Sequence, residues 1–281
     1  MKTSLSAILS LFLLLAGSAS TVYAAGSILV TPTRVVFEQR DRSAQVTIVN
    51  QGDQEASFRI TFIRQNMTEN GEFVPVGESE PGRFSDPMIR FSPRQVSLPP
   101  GQSQVIRLAL RRPADLADGE YRSHMLFQAL PDPGASNVEN LTQSTAEGIT
   151  IELIPIVGVS IPIIVRQGDL NGKVSLSDPE IVYTDQSAGK AEIRVSINRA
   201  GSRSIYGDLR ATYTPEGGTP TVIAQANSVA VYDNMSTRRF RMPLNLPVGF
   251  DPGKATVDVV FLEPGVEESS GTLARTRISP Q

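Results

Sequence analysis

The stretch GITIELIPIVGVSIPIIVRQG, residues 148–168, carries an apolar side chain or proline at every odd position from Ile149 to Val165. Period-2 alternation is the mark of a strand with one buried face. Ordinary strands run about 3–10 residues, whereas this pattern continues well beyond that and contains Pro155 and Pro162. Proline has no N–H to give to a ladder, so it belongs on an edge strand or at a bulge. A long apolar edge is also the feature that most invites unwanted pairing. The pattern therefore predicts an edge strand whose apolar face has a use, and it commits this part of the chain to sheet.

The same period recurs on both sides. SILVTPTRVVFEQ, SAQVTIVNQG, EASFRITFIRQN, GEFVPVG, IRFSPRQVSLPPGQSQVIRLALRRP and GEYRSHMLFQALP read as strands before it. KVSLSDPEIVYT, KAEIRVSINRAG, YGDLRATYTPEGG, TVIAQANSVAVY, TRRFRMPLNLP and KATVDVVFLEPG read as strands after it. Turn signals at roughly 8–12-residue spacing point to β-sandwiches. A turn is expected at PPGQ, a short helix near PADLADGEY, and a last strand in the tail EESSGTLARTRISPQ. The pattern restarts after RQGDLNG, which divides the chain at Arg166–Gly168 into two all-β domains, 25–167 and 168–281.

Residues 1–24 precede the first of these. Lys2, an apolar run from Ala7 to Ala16, and Val22 and Ala24 three and one residues before a cut after Ala24 describe a secretory signal peptide; Ala25 is the alternative cleavage point. No later segment reaches the roughly 18 uninterrupted apolar residues of a spanning helix. The expectation is export without membrane insertion.

Several chemistries are short of parts. The chain has no Cys and one His, which removes disulfides, thiol catalysis and thiolate metal sites. A Ser nucleophile usually needs a positioned base, and His124 reads as an ordinary strand histidine in YRSHMLFQ. No His and carboxylate cluster has metal-ligand spacing, and no Gly-rich loop has a phosphate-binding pattern. Glu267 and Glu268 fall in a polar turn. A net charge of −3 gives no argument for nucleic acid. The chain is expected to be no enzyme, to hold no cofactor or metal, and to work by binding or structure.

Three segments together resemble the periplasmic chaperones of the chaperone–usher pathway, which assemble pili. TPTRVVFEQRDRSAQVTIVNQGDQEASFRI is similar to that family's opening strand pair, FSPRQVSLPPGQSQVIRLAL to its segment around a Pro-Gly turn, and LADGEYRSHMLFQALPDP to a degraded form of its acidic signature. They span about residues 28–168. The second half is similar only in length, strand content and position.

The resemblance implies two immunoglobulin-like β-sandwich domains set at an angle, in the periplasm, with pilin-like subunits and an outer-membrane usher as partners. It implies donor-strand complementation, a form of β-strand addition, by the last strand of the first domain. The donor positions fall on Leu153, Pro155 and Val157, with Ile149 and Ile151 extending the same face. The same edge is the expected place of self-association. The family's carboxylate-binding Arg matches Arg34, and its interdomain ion pair matches Glu120 and Arg166. Two positions depart from the pattern: Gln167 stands where Pro is usual, and Pro162 where the family keeps a second, Lys cation. The alternatives to a chaperone are a secreted two-domain adhesion or envelope structural module, and a sandwich-fold carbohydrate-acting enzyme with two close carboxylates in a cleft.

Overall fold

The computed structural model describes residues 27–77, 79–131, 158–185 and 190–279. The first half is built from β1 (Ile28–Thr31), β2 (Val35–Phe37), β3 (Ser43–Asn50), β4 (Ala56–Ile63), β5 (Gln65–Met67) and β6 (Phe73–Pro75). It continues through β7 (Ile89–Ser92), β8 (Gln95–Leu98), β9 (Ser103–Leu110), β10 (Gly119–Ala129) and β11 (Gly158–Gln167). The second half has β12 (Gly172–Asp185), β13 (Lys190–Gly201), β14 (Ile205–Pro215), β15 (Thr221–Val231), β16 (Thr237–Pro243) and β17 (Ala255–Leu262). A one-turn helix α1 (Glu268–Gly271) and β18 (Thr272–Ile278) complete it.

The protein is all-β, and its strands form two sandwiches. In the first, a sheet ordered β1-β3-β9-β7 faces one ordered β2-β11-β10-β4-β8. In the second, β12-β13-β16 faces β15-β14-β17-β18. Alternation explains each layer: Val46 and Ile48 of β3, Ile106 and Leu108 of β9, Met125 and Phe127 of β10, and Ile161, Ile163 and Val165 of β11 fill the first core. Ile193, Val195 and Ile197 of β13 with Val257, Val259 and Phe261 of β17 belong to the second. Each such side chain is worth roughly 1.5–3 kcal/mol when fully buried.

Two connections aim the functional surface. The chain crosses between sheets over Pro32, Thr33 and Arg34, because β1 pairs antiparallel with β3 while β2 pairs parallel with β11. At PPGQ, Gly101 adopts φ +70° and donates to the Asn50 carbonyl at 2.8 Å, a backbone conformation suited to glycine. The helix expected near PADLADGEY does not form. Leu116 closes one turn on Pro113, and Gly119 and Glu120 already belong to β10. Between Pro113 and Gly119 there is too little chain to repay helix nucleation. The tail does hold a strand, β18, and Glu268, expected in a polar turn, heads α1 and accepts from Arg275 at 2.6 Å.

A third apolar cluster joins the sandwiches. Ile164 of β11, buried on the face opposite its own core, packs with Met67, Ala230 and Tyr232, flanked by Val36 and Tyr206.

Candidate functional site: the cleft between the sandwiches

Val35 and Phe37 point into the first core, so alternation turns Arg34 and Val36 toward the second sandwich. Arg34 Nη2 donates to Ser204 Oγ at 3.2 Å, and its guanidinium carbon lies 4.5 Å from the centroid of the Tyr206 ring. Its Nη1 is buried and, among the described residues, has no hydrogen-bond partner. Burial pulls the Arg34 pKa down, against the opposing pull of Tyr232 and Glu120, and the group stays charged.

Glu120 and Arg166 face each other across the β10–β11 ladder. Arg166 Nε donates to Glu120 Oε2 at 3.0 Å, and its Nη1 donates to Glu38 Oε1 at 2.8 Å. Glu120 is wholly buried, and the same Oε2 accepts the backbone N–H of Ser204 at 3.2 Å. Arg34, Glu120 and Arg166, well apart in the chain, thus meet around one serine of the second sandwich.

Two residues along β10 from Glu120, the Arg122 guanidinium lies 3.8 Å over the Tyr232 ring and donates to Asn234 Oδ1 at 3.0 Å. His124, next on that face, is almost fully buried, edge-on to Phe73 at 5.1 Å and to Tyr232 at 6.3 Å. Burial, reinforced by the neighbouring Arg122 charge, lowers its pKa to about 3. The imidazole is therefore neutral at pH 7. It is a packing group on a strand.

The β5–β6 hairpin runs over to the second sandwich. The Met67 carbonyl accepts from Asn234 Nδ2 at 3.0 Å, the Glu69 carbonyl accepts from the Arg239 backbone N–H at 2.7 Å, and Glu69 pairs with Arg239 at 3.4 Å.

Beside these contacts opens a cleft of about 650 Å³, whose walls include Arg34 and Arg166 from the first sandwich and Lys173, Arg203, Tyr206 and Glu263 from the second. Volume is ample for a peptide end. The edge of β11 lies alongside. Its partner β10 covers Gly158–Gln167 on one side, whereas β2 covers only Ile163–Val165 on the other. Among the described residues, Gly158–Pro162 thus have a neighbouring strand on one side alone, and Arg34 stands just before β2 where that open edge begins. Pro162 lies opposite His124. The expected donor positions Ile149, Ile151, Leu153, Pro155 and Val157 lie outside the described residues, as does the segment 1–24.

No family model matches the chain, and no curated protein matches it in sequence. Solved structures do. The structures it is similar to are fimbrial and pilus chaperones. The class 5 fimbriae chaperone CfaA is similar over 91% of this chain and 100% of its own, at 14% identity and a TM-score of 0.41. The Salmonella enterica SafB chaperone complex with the SafA pilin is similar over 90% and 95%, at 13% and 0.39. The pre-assembly complex of the chaperone CsuC with the tip adhesion subunit CsuE, from archaic chaperone–usher Csu pili of Acinetobacter baumannii, is similar over 76% and 89%, at 14% and 0.40. Such identities assign no residue here.

Sequence reasoning missed Arg122, Lys173, Arg203, Ser204, Tyr206 and Tyr232. Arg122 and Tyr232 sit in unremarkable strand contexts, and RAGSRSIYG reads only as a turn. A weak signal was present in it: two arginines beside a glycine give a cationic corner, but nothing local says which surface the corner faces.

Proposed function

We propose that the protein is a periplasmic chaperone of the chaperone–usher type. It is exported by its first 24 residues, and it has an N-terminal immunoglobulin-like domain over 25–167 and a C-terminal one over 168–281. It binds pilin-like subunits by donating the strand that continues β11 upward, caps their apolar grooves, and delivers them to an outer-membrane usher. The observation that carries this reading is the edge of β11 at Gly158–Pro162, which among the described residues has a neighbouring strand on one side alone, with Arg34 directly preceding the β2 residue that pairs with Ile163. An edge with unpaired N–H and C=O groups is a template for a further strand. Alternate side chains at Ile149, Ile151, Leu153, Pro155 and Val157 then fill the subunit's pockets, and Arg34 receives its terminal carboxylate. The odd face that meets the subunit is the continuation of the face that packs Ile161, Ile163 and Val165 into the home core. The sequence motifs over 28–168 support the same reading. No catalysis or cofactor enters it.

Co-expression with candidate subunits followed by pull-down from the periplasm tests the proposal. Leu153→Asp combined with Val157→Asp is expected to leave a folded, exported protein that retains no subunit. Undiminished co-purification overturns donor-strand binding.

A further inference from the structure

We infer that the outer face of the β1-β3-β9-β7 sheet docks on an anionic phospholipid surface, with Arg90, Arg107 and Arg111 on its headgroup phosphates. The inference goes beyond the chaperone reading and does not depend on it.

The four strands, ILVT, SAQVTIVN, IRFS and SQVIRLAL, contain no Asp or Glu. Their inward residues fill the first core, so alternation leaves Arg90 of β7 and Arg107 of β9 exposed on the outer face. Arg111 keeps that parity one residue past β9, where its N–H still donates to the Met88 carbonyl at 2.8 Å. Arg90 stands opposite Ala109, and Ser92 opposite Arg107. Arg90 is therefore diagonal to both Arg107 and Arg111, and diagonal neighbours on a sheet lie about 7–8 Å apart. Among the described residues none of the three side chains has a hydrogen bond or an ion pair. A chain of net charge −3 thus gathers unanswered positive charge on one face.

The second sandwich handles a similar crowding differently. There Arg194 stands opposite Arg241, but Glu192 and Glu180 pair with Arg194 at 2.7 Å and 3.6 Å. The carboxylates that border the first sheet are turned to other partners: Asp41 accepts the Glu38 N–H at 2.9 Å, and Asp86 pairs with Arg64 at 2.9 Å. Asp115 lies in the exposed turn after Pro113.

The occupant follows from what the face offers. β3 and β9 are inner strands, paired on both sides, so they present no free main-chain groups to an added strand. Recognition is left to side chains, and the neutral residues between the arginines, Ser43, Gln45, Ser92 and Ala109, are all shorter than arginine. A plane of phosphates meets all three guanidinium groups at once, and each fork matches a phosphate with paired N–H donors. Leu29 and Val105, 43% and 37% exposed, add apolar surface at the border of the same face. The sheet lies across the first core from β10 and β11. Docking therefore leaves the cleft and the β11 edge open.

The test is cosedimentation of the protein recovered from the periplasm with sucrose-loaded vesicles. These are phosphatidylcholine alone, or equal parts phosphatidylcholine and phosphatidylglycerol, at about 0.1 M salt, where charges act over about 10 Å. The wild type is expected to sediment with the anionic vesicles only, and to be released at about 1 M salt, where that range falls to about 3 Å. Replacing Arg90, Arg107 and Arg111 together by Gln is expected to weaken binding about a hundredfold, roughly fivefold for each arginine. The melting temperature is expected not to fall, since the three side chains make no hydrogen bond to lose. Replacing Lys190, Arg241 and Lys254 by Gln removes the same charge from exposed cations of the second sandwich and is expected to leave binding within about twofold. No sedimentation with anionic vesicles, equal sedimentation with both kinds, or equal loss in the two triple variants overturns the lipid surface. Release by soluble polyglutamate at a charge concentration below that of the vesicles makes the face an acidic-polypeptide site and overturns the lipid assignment. Release by inorganic phosphate at that concentration makes it a small-anion site and does the same. The chaperone reading is judged separately by the Leu153 and Val157 co-purification, in which none of these arginines takes part.

Discussion

Glu120, on the first sandwich, accepts the backbone N–H of Ser204, on the second, at 3.2 Å. The oxygen that does so also takes Arg166 Nε at 3.0 Å, so one carboxylate closes an ion pair and bridges the domains. Glu120→Ala leaves Arg166 with only exposed Glu38 as counter-charge and strands a buried N–H. Breaking a buried pair from one side costs about 3–5 kcal/mol. Urea unfolding of Glu120→Ala is expected to show a loss of that order, with Glu120→Gln, which retains an acceptor for Ser204, losing less.

His124 predicts an acid-sensitive fold. Its folded pKa of about 3 lies below the ordinary 6.5. Between those values the unfolded chain binds a proton that the folded one refuses, so stability falls as pH drops through the window. From pH 7 to pH 5 the loss from this group is about 2 kcal/mol. His124→Phe keeps an aromatic ring beside Phe73 and removes the titration. Urea midpoints at pH 7, 6 and 5 are expected to fall faster for the wild type than for the variant; parallel curves would assign the acid sensitivity elsewhere.

Tyr232 carries the join between the sandwiches. Its ring stacks under Arg122 and packs on Ile164 and Met67. Tyr232→Ala is expected to cost about 3–5 kcal/mol, as for other large buried aromatics, and to speed protease cleavage in the linker at 168–171. Tyr232→Phe, which keeps the ring over Arg122, is expected to retain most of the stability and the wild-type cleavage rate.

Asn50, the last residue of β3, is fully buried and ties the sheet corner together. Its Nδ2 donates to the Leu98 carbonyl at 2.8 Å and the Gln54 carbonyl at 2.7 Å, while Oδ1 accepts the Gly52 N–H at 2.9 Å. Asn50→Ala removes these three side-chain hydrogen bonds from a buried corner, each worth about 0.5–1.5 kcal/mol net. A lower thermal midpoint with unchanged subunit co-purification is the expected result.

Strands were readable in the sequence because their signal is local. Alternation such as Val46 and Ile48 fixes which face is buried, and Gly101 fixes the corner after it. The cleft was readable only in part. Arg34, Glu120 and Arg166 came forward through the family resemblance, which could say nothing of Ser204, the residue that connects them. Ser204 and Arg203 acquire their roles from how one sandwich lands on the other. That depends on contacts between residues more than a hundred positions apart, such as Arg122 with Asn234, and no short-range periodicity encodes it. The short helix near Leu116 was misread for the opposite reason: local propensity favoured it, and the start of β10 overrode it.

The β5–β6 hairpin is encoded in the first half of the gene but makes its main-chain bonds to Asn234 and Arg239 in the second. A recombination event at the linker would join two intact sheets and still separate this hairpin from the surface that fits it. The two halves are therefore poor units of exchange. Inheritance is expected to keep them together, so that a swapped second half is tolerated only when it brings its own match for Met67 and Glu69.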